Sequence, residues 1–318
     1  MRLLIVTQKV NPHDRNLGFF VRWIEEFAKH AEVTVIEWRT GPRITRFFRY
    51  QYLLLKNLPH TDGVFFHMCP EYVLAAHFLP MLFRVKTALW YVHKEVSVRL
   101  RLAEKLVDKI FTTSSESFRL PSKKVLVVGH GIDTALFKPS ATLPGGLRLV
   151  TVGRIAPVKD LRTLVLGFLE LQKRFPDAEF SIVGQPITAA DRAYQDKLIQ
   201  MTPRLHFTSF PYGTVFASHP YTAFVHASQT GSLDKAVLEA LAAGLPVFTS
   251  SEAFHEGMPD IFKFQQGDPS DLAEKIGRAF QEGKLVIGEE GRAFVQKHHS
   301  LPRLIAKILS FYAKKELI

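Results

Sequence analysis

Arg154, Lys159 and Glu239 are the charged side chains whose setting suggests chemistry. Arg154 and Lys159 stand in TVGRIAPVKDLRTLV, where a β-branched run ends in Gly153 and a helical pattern opens near Asp160. Two cations at the C-terminal end of a strand, beside a helix N-terminus, make a site for a diphosphate. The fixed positive charges, the free N–H groups and the helix dipole all favour an anion there. Glu239 stands in QTGSLDKAVLEALAAGLPVFTS, on a helix entered by a Gly-Ser turn and left by Gly244-Leu245-Pro246. Ser232 reads as its N-cap, Asp234 as a first-turn acid suited to the dipole, and Gly244 with Pro246 as its stop. Ala236, Ala240 and Ala243 recur three or four apart and let the helix lie close to a neighbour. None of this local logic explains a glutamate among the alanines.

The elements that must position these residues alternate along the chain. LLIV, VTVIEW, GVFFHM, TALWYVH, KIFTTS and VLVVGHG read as strands in the first half. LRLVTVG, EFSIVG, RLHFTSF, AFVHAS, LPVFTS and FKFQQ do so in the second. Between them lie amphipathic stretches such as FVRWIEEFAKH and LRTLVLGFLELQKRF, with apolar residues recurring at three and four. Strand and helix in alternation imply parallel sheets covered on both faces, and the chain runs through the series twice. The segment KPSATLPGG at 138–146 reads as the linker between the two series. The expected organisation is a doubly wound domain over 1–138, a second over 139–300 and a terminal helix over 301–318. Ligands then belong at the C-terminal ends of the strands.

Composition narrows the function classes. A hydrophobic share of 47% and a charged share of 22% supply two apolar cores and place the 318 residues among globular chains. Cys69 is the single cysteine, which excludes a disulfide framework and fits a reducing compartment. Met1-Arg2 runs straight into a strand pattern rather than a secretory leader, and no apolar run approaches the ~20 residues of a spanning helix. A cytoplasmic protein, or one on the cytosolic face of a membrane, is expected. The formal charge of +11 is uneven: residues 1–138 hold 21 Lys/Arg against 12 Asp/Glu, and residues 139–318 hold 20 against 18. The first half therefore faces something anionic or simply has a basic surface. No G-x-G-x-x-G follows the first strand and no P-loop occurs, so a nicotinamide or P-loop site is not expected. No two aspartates stand two apart, and no zinc spacing is present. No cofactor and no metal are expected.

GRIAPVKDLRTLV, followed about eighty residues later by GSLDKAVLEALAAGLPV, resembles glycosyltransferase family four (the glycosyl transferases group 1). Its members are retaining, nucleotide-sugar-dependent enzymes of the GT-B fold. LGFFVRWIEEFAKH is similar to the family's first glycine-bearing loop and helix, and VGHGIDTALFKP to the segment before its linker. FSIVGQ, HPYTAFVHAS and GDPSDLAEKI match later elements in the right order. The resemblance implies two Rossmann-like α/β domains facing across a cleft. The first would be the acceptor side and the second the nucleotide-sugar donor side, with the terminal helix packing back on the first.

By the same resemblance Glu239 holds the ribose hydroxyls of the donor, since a carboxylate accepts two hydroxyl hydrogen bonds at once. The ordinary alternative is an i,i+4 pair with Lys235, in the weaker Lys-before-Glu order. Ser232, Leu233 and Asp234 form the turn whose backbone approaches sugar and phosphates, and Gly153, Arg154 and Lys159 take the diphosphate. His93, after TALWYV, corresponds to a histidine near the donor sugar. Gly18 corresponds to a glycine whose missing side chain lets backbone approach the diphosphate or acceptor. Thr113, Ser114 and Glu116 lie at another strand end, and Lys9 and Arg15 are candidates for an acceptor phosphate. The family's second glutamate, eight positions before Glu239, is replaced by Gly231. Sugar selection then falls to Asp234 or to backbone groups, or the chain is a GT-B scaffold that binds a nucleotide or glycan without transferring it. The implied reaction is a metal-independent transfer of a hexosyl group to a glycan or lipid-linked acceptor, as in polysaccharide biosynthesis.

One basic stretch suggests a further partner. In EWRTGPRITRFFRYQYLLLKNLPH a helix after Pro42 clusters Arg39, Arg43, Arg46 and Arg49, with Phe47, Phe48, Tyr50, Tyr52 and Leu53 interleaved. Basic and aromatic residues on one amphipathic helix suit an anionic membrane surface, whereas aromatics facing the sheet would make it an ordinary surface helix. No nucleic-acid partner is expected, because no recognised module is present.

Overall fold

Every run expected to be a strand is one in the computed structural model. It describes all residues except 15–16, 39–40, 77, 141–143, 219, 231–232, 255–257 and 314–318. Arg15, Arg39, Gly231 and Ser232, named above, therefore lie outside the described residues. The chain divides into two compact units, Met1–Gly131 with Leu301–Ile318, and Ile132–Ser300.

The first unit runs β1 (Arg2–Thr7), α1 (Gly18–Ala28), β2 (Glu32–Glu37), α2 (Arg43–Asn57), β3 (Gly63–His67), α3 (Pro70–Ala76), α4 (Leu79–Leu82), β4 (Lys86–Trp90), α5 (Val98–Leu106), β5 (Lys109–Thr112) and β6 (Val125–Val127). Its sheet is parallel throughout, in the order β2-β1-β3-β4-β5-β6, with Leu3 opposite Val33 on one side and Gly63 on the other. Such strands are buried on both faces and so are apolar at consecutive positions. Leu4 and Val6 of β1 pack with Tyr50, Leu54, Tyr72 and Leu100, the inner faces of α2, α3 and α5. Leu3 and Ile5 pack the other way, with Phe20, Trp23 and Phe27 of α1.

The second unit runs β7 (Arg148–Val152), α6 (Leu161–Arg174), β8 (Glu179–Val183), α7 (Ala189–Met201), β9 (Leu205–Thr208), α8 (Val215–Ser218), β10 (Ala223–His226), α9 (Lys235–Ala242), β11 (Val247–Thr249), β12 (Ile261–Lys263), α10 (Pro269–Gln281) and α11 (Glu289–His298). Its parallel sheet has the order β12-β11-β10-β7-β8-β9. Phe168, Phe180 and Ile276 centre one apolar layer, and Phe224, Val237 and Phe254 the other.

The boundary between the units departs from the division expected at residue 138, whereas the terminal helix lies in the unit that the resemblance implied. Residues 132–138 belong to the second unit. Ile132 pairs with Ser300 and donates its N–H to the His299 carbonyl at 2.8 Å, and Phe137 packs edge-on against Tyr212 and Phe216. The Arg292 guanidinium donates to the carbonyls of Phe137, Thr134 and Ala242 and ties the segment to α9. Helix α12 (Leu301–Tyr312) lies in the first unit, where Leu304, Ile305 and Ile308 pack beside α1. The Tyr312 hydroxyl donates to the Val64 carbonyl at 2.8 Å, and a Cβ on Gly63 would lie 2.2 Å from the Tyr312 ring. Gly63 is therefore the opening that lets α12 dock.

His67, the last residue of β3, is buried and stacks on Phe20 with ring centroids 3.7 Å apart. Its Nδ1 lies 3.2 Å from the Thr7 hydroxyl, while its Nε2 is buried without a partner. Burial pushes its pKa down to about 3. The unfolded chain therefore binds this proton first, near pH 6.5, and stability falls as pH drops from there toward 3, by at most about 1.4 kcal/mol per unit. Urea denaturation of wild type and His67→Phe at about pH 6.5 and pH 4.5 should show the difference in unfolding free energy moving in the variant's favour by about 2–3 kcal/mol. A difference that stays constant would place the titrating group elsewhere.

Candidate functional site

The loop after β7 is shaped by two glycines. Gly153 has φ +151° and donates its N–H to the Val183 carbonyl at 2.9 Å. Gly184, just past β8, has φ +157°, and a Cβ there would sit 1.8 Å from the Gly153 carbonyl oxygen. Only the missing side chain allows these backbones to touch. The chain then passes through buried Ile155 and Ala156 into a 3₁₀ turn, Pro157–Lys159, and a left-handed Asp160 at φ +46° before α6. The Lys159 side chain folds back over Gly153, whose imagined Cβ would lie 3.7 Å from Lys159 Cε.

Lys159 is ion-paired to Asp234 Oδ2. Asp234, rather than Ser232, is the residue found capping α9, with its Oδ1 accepting from the Ala236 N–H at 3.2 Å. It thus precedes the helix instead of lying in its first turn. The same Oδ2 lies 3.2 Å from His226 Nε2, and His226 Nδ1 lies 2.9 Å from the Thr249 hydroxyl. Burial alone would raise the Asp234 carboxyl, but the His226 hydrogen bond and the Lys159 charge outweigh it and hold the group well below the usual carboxylate range. Gly153, Lys159 and Asp234 are therefore together. His226 and Thr249, which the sequence reading passed over, complete the cluster. Their only signal was a polar residue closing each of two apolar strands, AFVH and VFT.

Glu239 lies one turn along α9, buried with the rest of that helix. Its Oε1 pairs with Lys235 Nζ at 3.0 Å, and beyond this ion pair Oε1 has no hydrogen-bond partner. The i,i+4 pair thus forms, but largely out of solvent, where burial pulls the Lys235 pKa down and Glu239 partly restores it. Lys235 also donates to the Tyr212 hydroxyl at 2.9 Å. The Leu233 side chain is buried in the apolar layer beneath α9. Arg154 is half-exposed, with Nε 3.8 Å from Asp191 Oδ2. Asp191 belongs to a capping box with Thr188, and the N–H groups of Thr188 and Ile187 hold its carboxyl below the usual range.

The remaining candidates lie in the first unit. Gly18 opens α1, and a Cβ there would meet the Pro12 carbonyl oxygen at 2.8 Å, so its lack of a side chain serves a close backbone approach within this loop. His93 is exposed just past β4, with its ring 5.7 Å from that of Tyr91. Thr113 is buried and donates to the Ser117 hydroxyl, Ser114 lies 3.0 Å from the same hydroxyl, and Glu116 accepts from Ser115. Lys9 pairs with Asp14 at 3.2 Å. Among the described residues, no three His, Cys, Asp or Glu side chains converge as a metal site.

Two parallel six-stranded sheets with these strand orders and flanking helices define the GT-B fold. Residues 146–282 match the family model described as Glycosyl transferases group 1. The chain is similar to the Anabaena protein Alr3699/HepE, solved in complex with UDP and glucose, at 15% identity and TM-score 0.76 over 98% of this chain and 99% of that one. It is similar to a glycosyltransferase from Rickettsia africae at 14% identity and TM-score 0.77, over 98% and 97%. The lipopolysaccharide outer core galactosyltransferase WaaB, in its apo form, matches at 13% identity and TM-score 0.66, over 98% and 99%. No curated protein matches the chain in sequence.

The contact between Gly153 and Gly184 makes a test of the loop. Gly184→Ala should force the two strand ends apart and lower the thermal midpoint by about 4 °C or more, a loss of at least about 1–2 kcal/mol. An unchanged midpoint would show that the approach is not needed to hold the loop.

Proposed function

We propose that this chain is a retaining glycosyltransferase that moves a sugar from a nucleotide-sugar donor to an acceptor hydroxyl without a metal ion. The observation that carries the reading is the meeting of Lys159, on the loop after β7, with the capped N-terminus of α9, the helix that also presents Glu239. The match of residues 146–282 to the group 1 family model supports it, as does the likeness to a fold solved with UDP and glucose.

In this reading Arg154 and Lys159 bind the diphosphate and neutralise the charge that grows on it as the bond to the sugar breaks. Stabilisation of this kind is usually the largest catalytic contribution. The acceptor oxygen forms its bond to the anomeric carbon on the face from which the diphosphate departs. The acceptor proton passes to a diphosphate oxygen, so no protein nucleophile takes part. Glu239 accepts the ribose hydroxyls, and the backbone at Leu233 and Asp234 lies against sugar and phosphates. His93 and Gly18 serve the donor sugar and the acceptor from the first unit. No further cofactor is needed, since the donor is a substrate.

The acceptor is proposed to be a glycan or lipid-linked molecule met at the cytoplasmic face of a membrane. Helix α2 supports this with two apolar stripes. Tyr50 and Leu54 face the sheet, as the ordinary alternative required, but Ile44, Phe48, Tyr52 and Leu55 line the outer face and are at least half exposed. Arg43, Arg46, Arg49 and Lys56 lie on the same helix, which holds no acid. A basic helix with outward aromatic side chains matches an anionic lipid surface. No described helix is long and apolar enough to cross a membrane. Wild type should sediment with phosphatidylglycerol vesicles and not with phosphatidylcholine vesicles, and changing Arg43, Arg46 and Arg49 to Glu should abolish the difference. Equal sedimentation in all cases would remove the membrane from the proposal.

The donor site is tested by thermal unfolding with UDP, GDP, ADP and dTDP. A nucleotide at a hundred times its dissociation constant adds about 2.7 kcal/mol and moves the midpoint by a few degrees. One nucleotide should stabilise wild type and not Glu239→Ala. Arg154→Ala should keep the fold and lose nucleotide-sugar consumption. Normal consumption by that variant would overturn the mechanism, and binding without any consumption by wild type would make the chain a non-transferring scaffold.

A further inference from the structure

We infer that His226 and Thr249 are positioning residues, which act through Asp234 to fix the Lys159 ammonium where its remaining N–H donors can meet a diphosphate. The inference rests on the reading of Lys159 as a diphosphate ligand and adds two residues that touch neither substrate.

The hydrogen bonds run in one direction. The Ser251 N–H donates to the Thr249 hydroxyl oxygen at 3.1 Å. A carboxylate can only accept, so the 3.2 Å hydrogen bond between His226 Nε2 and Asp234 Oδ2 puts a proton on Nε2. In the tautomer whose one proton is on Nε2, Nδ1 accepts from the Thr249 hydroxyl at 2.9 Å. Oδ2 accepts from Lys159 as well, and Oδ1 accepts from the Ala236 N–H. The threonine hydroxyl thus holds the ring at its other nitrogen, and the ring supplies the second donor on Oδ2.

The anchors are rigid. His226 and Thr249 close β10 and β11, pair across the parallel ladder, and are almost wholly buried. Asp234 is held on both oxygens. A lysine is a point charge on four rotatable carbons, and most of its mobility must be lost before it can aid an anion. Asp234 takes one of the three ammonium donors and leaves two for the phosphates. Preorganisation of this kind strengthens binding by removing the ordering cost from the binding event.

The experiment is calorimetric titration of the full chain with inorganic pyrophosphate, which carries the diphosphate charge without a base. Thr249→Val keeps the shape and removes the hydroxyl, whereas Thr249→Ser keeps the hydroxyl. Thr249→Val and His226→Phe should each weaken pyrophosphate about three- to tenfold, and Thr249→Ser should stay within about twofold of wild type. In a Lys159→Ala background, Thr249→Val should add nothing. An equal loss with and without Lys159, or a loss not rescued by serine, would mean ordinary packing and overturn the inference. Should Thr249→Val not fold, His226→Phe decides by the same comparison. Unchanged affinity in the His226 and Thr249 variants, with loss in Lys159→Ala, would overturn this inference alone. Failure of wild type to bind pyrophosphate would overturn the diphosphate site itself.

Discussion

The ion pair between Lys159 and Asp234 is the contact on which the geometry of the second unit's site depends. It joins residues 75 apart in sequence and fixes the loop after β7 to the first residue before α9. The carboxylate compensates the lysine, caps the helix and accepts from His226 at once, so a charge drawn from water is met on both oxygens. The helix dipole adds to this, because the N-terminus of α9 favours the same negative group. An incoming phosphate would enter an electrostatic setting already built around one anion.

Both sheets end in a similar polar pair. In the first unit Thr7 closes β1 and His67 closes β3, hydroxyl beside Nδ1 at 3.2 Å. In the second, Thr249 closes β11 and His226 closes β10, at 2.9 Å. The surroundings then separate the two. His67 lies against Phe20, with nothing polar on Nε2, and burial keeps it neutral. His226 has a carboxylate on Nε2. The same pair of side chains in the same kind of place thus serves packing in one unit and charge placement in the other.

Much of this was legible in the chain itself. Strands buried on both faces are apolar at nearly every position, so LLIV or the AFV of AFVH stands out without any knowledge of its neighbours. Gly153, Arg154 and Lys159 could be read because loop, cations and helix start lie within a few residues. The partner of Lys159 could not, since it depends on how β7 and β10 come to lie side by side. The boundary at residue 131 was hidden for the same reason: Ile132 is tied to Ser300, a contact that no local pattern announces. The cap of α9 was misread by two residues because Ser232 and Asp234 are both good caps, and contacts from His226 and Lys159 fix Asp234 at that point. The amphipathic character of α2 was visible, but its division into inner and outer apolar stripes required the sheet.

Helix α12 has a consequence for the order of events during synthesis. The first unit is made of residues that precede and follow the second, which is inserted between them. As the polypeptide leaves the ribosome, residues 1–131 emerge without the helix that covers Leu3, Ile5 and Phe65 on one side of their sheet. Residues 132–300 contain their whole core and can collapse first. Part of that face, beside α1, then stays uncovered until residues 301–312 have emerged.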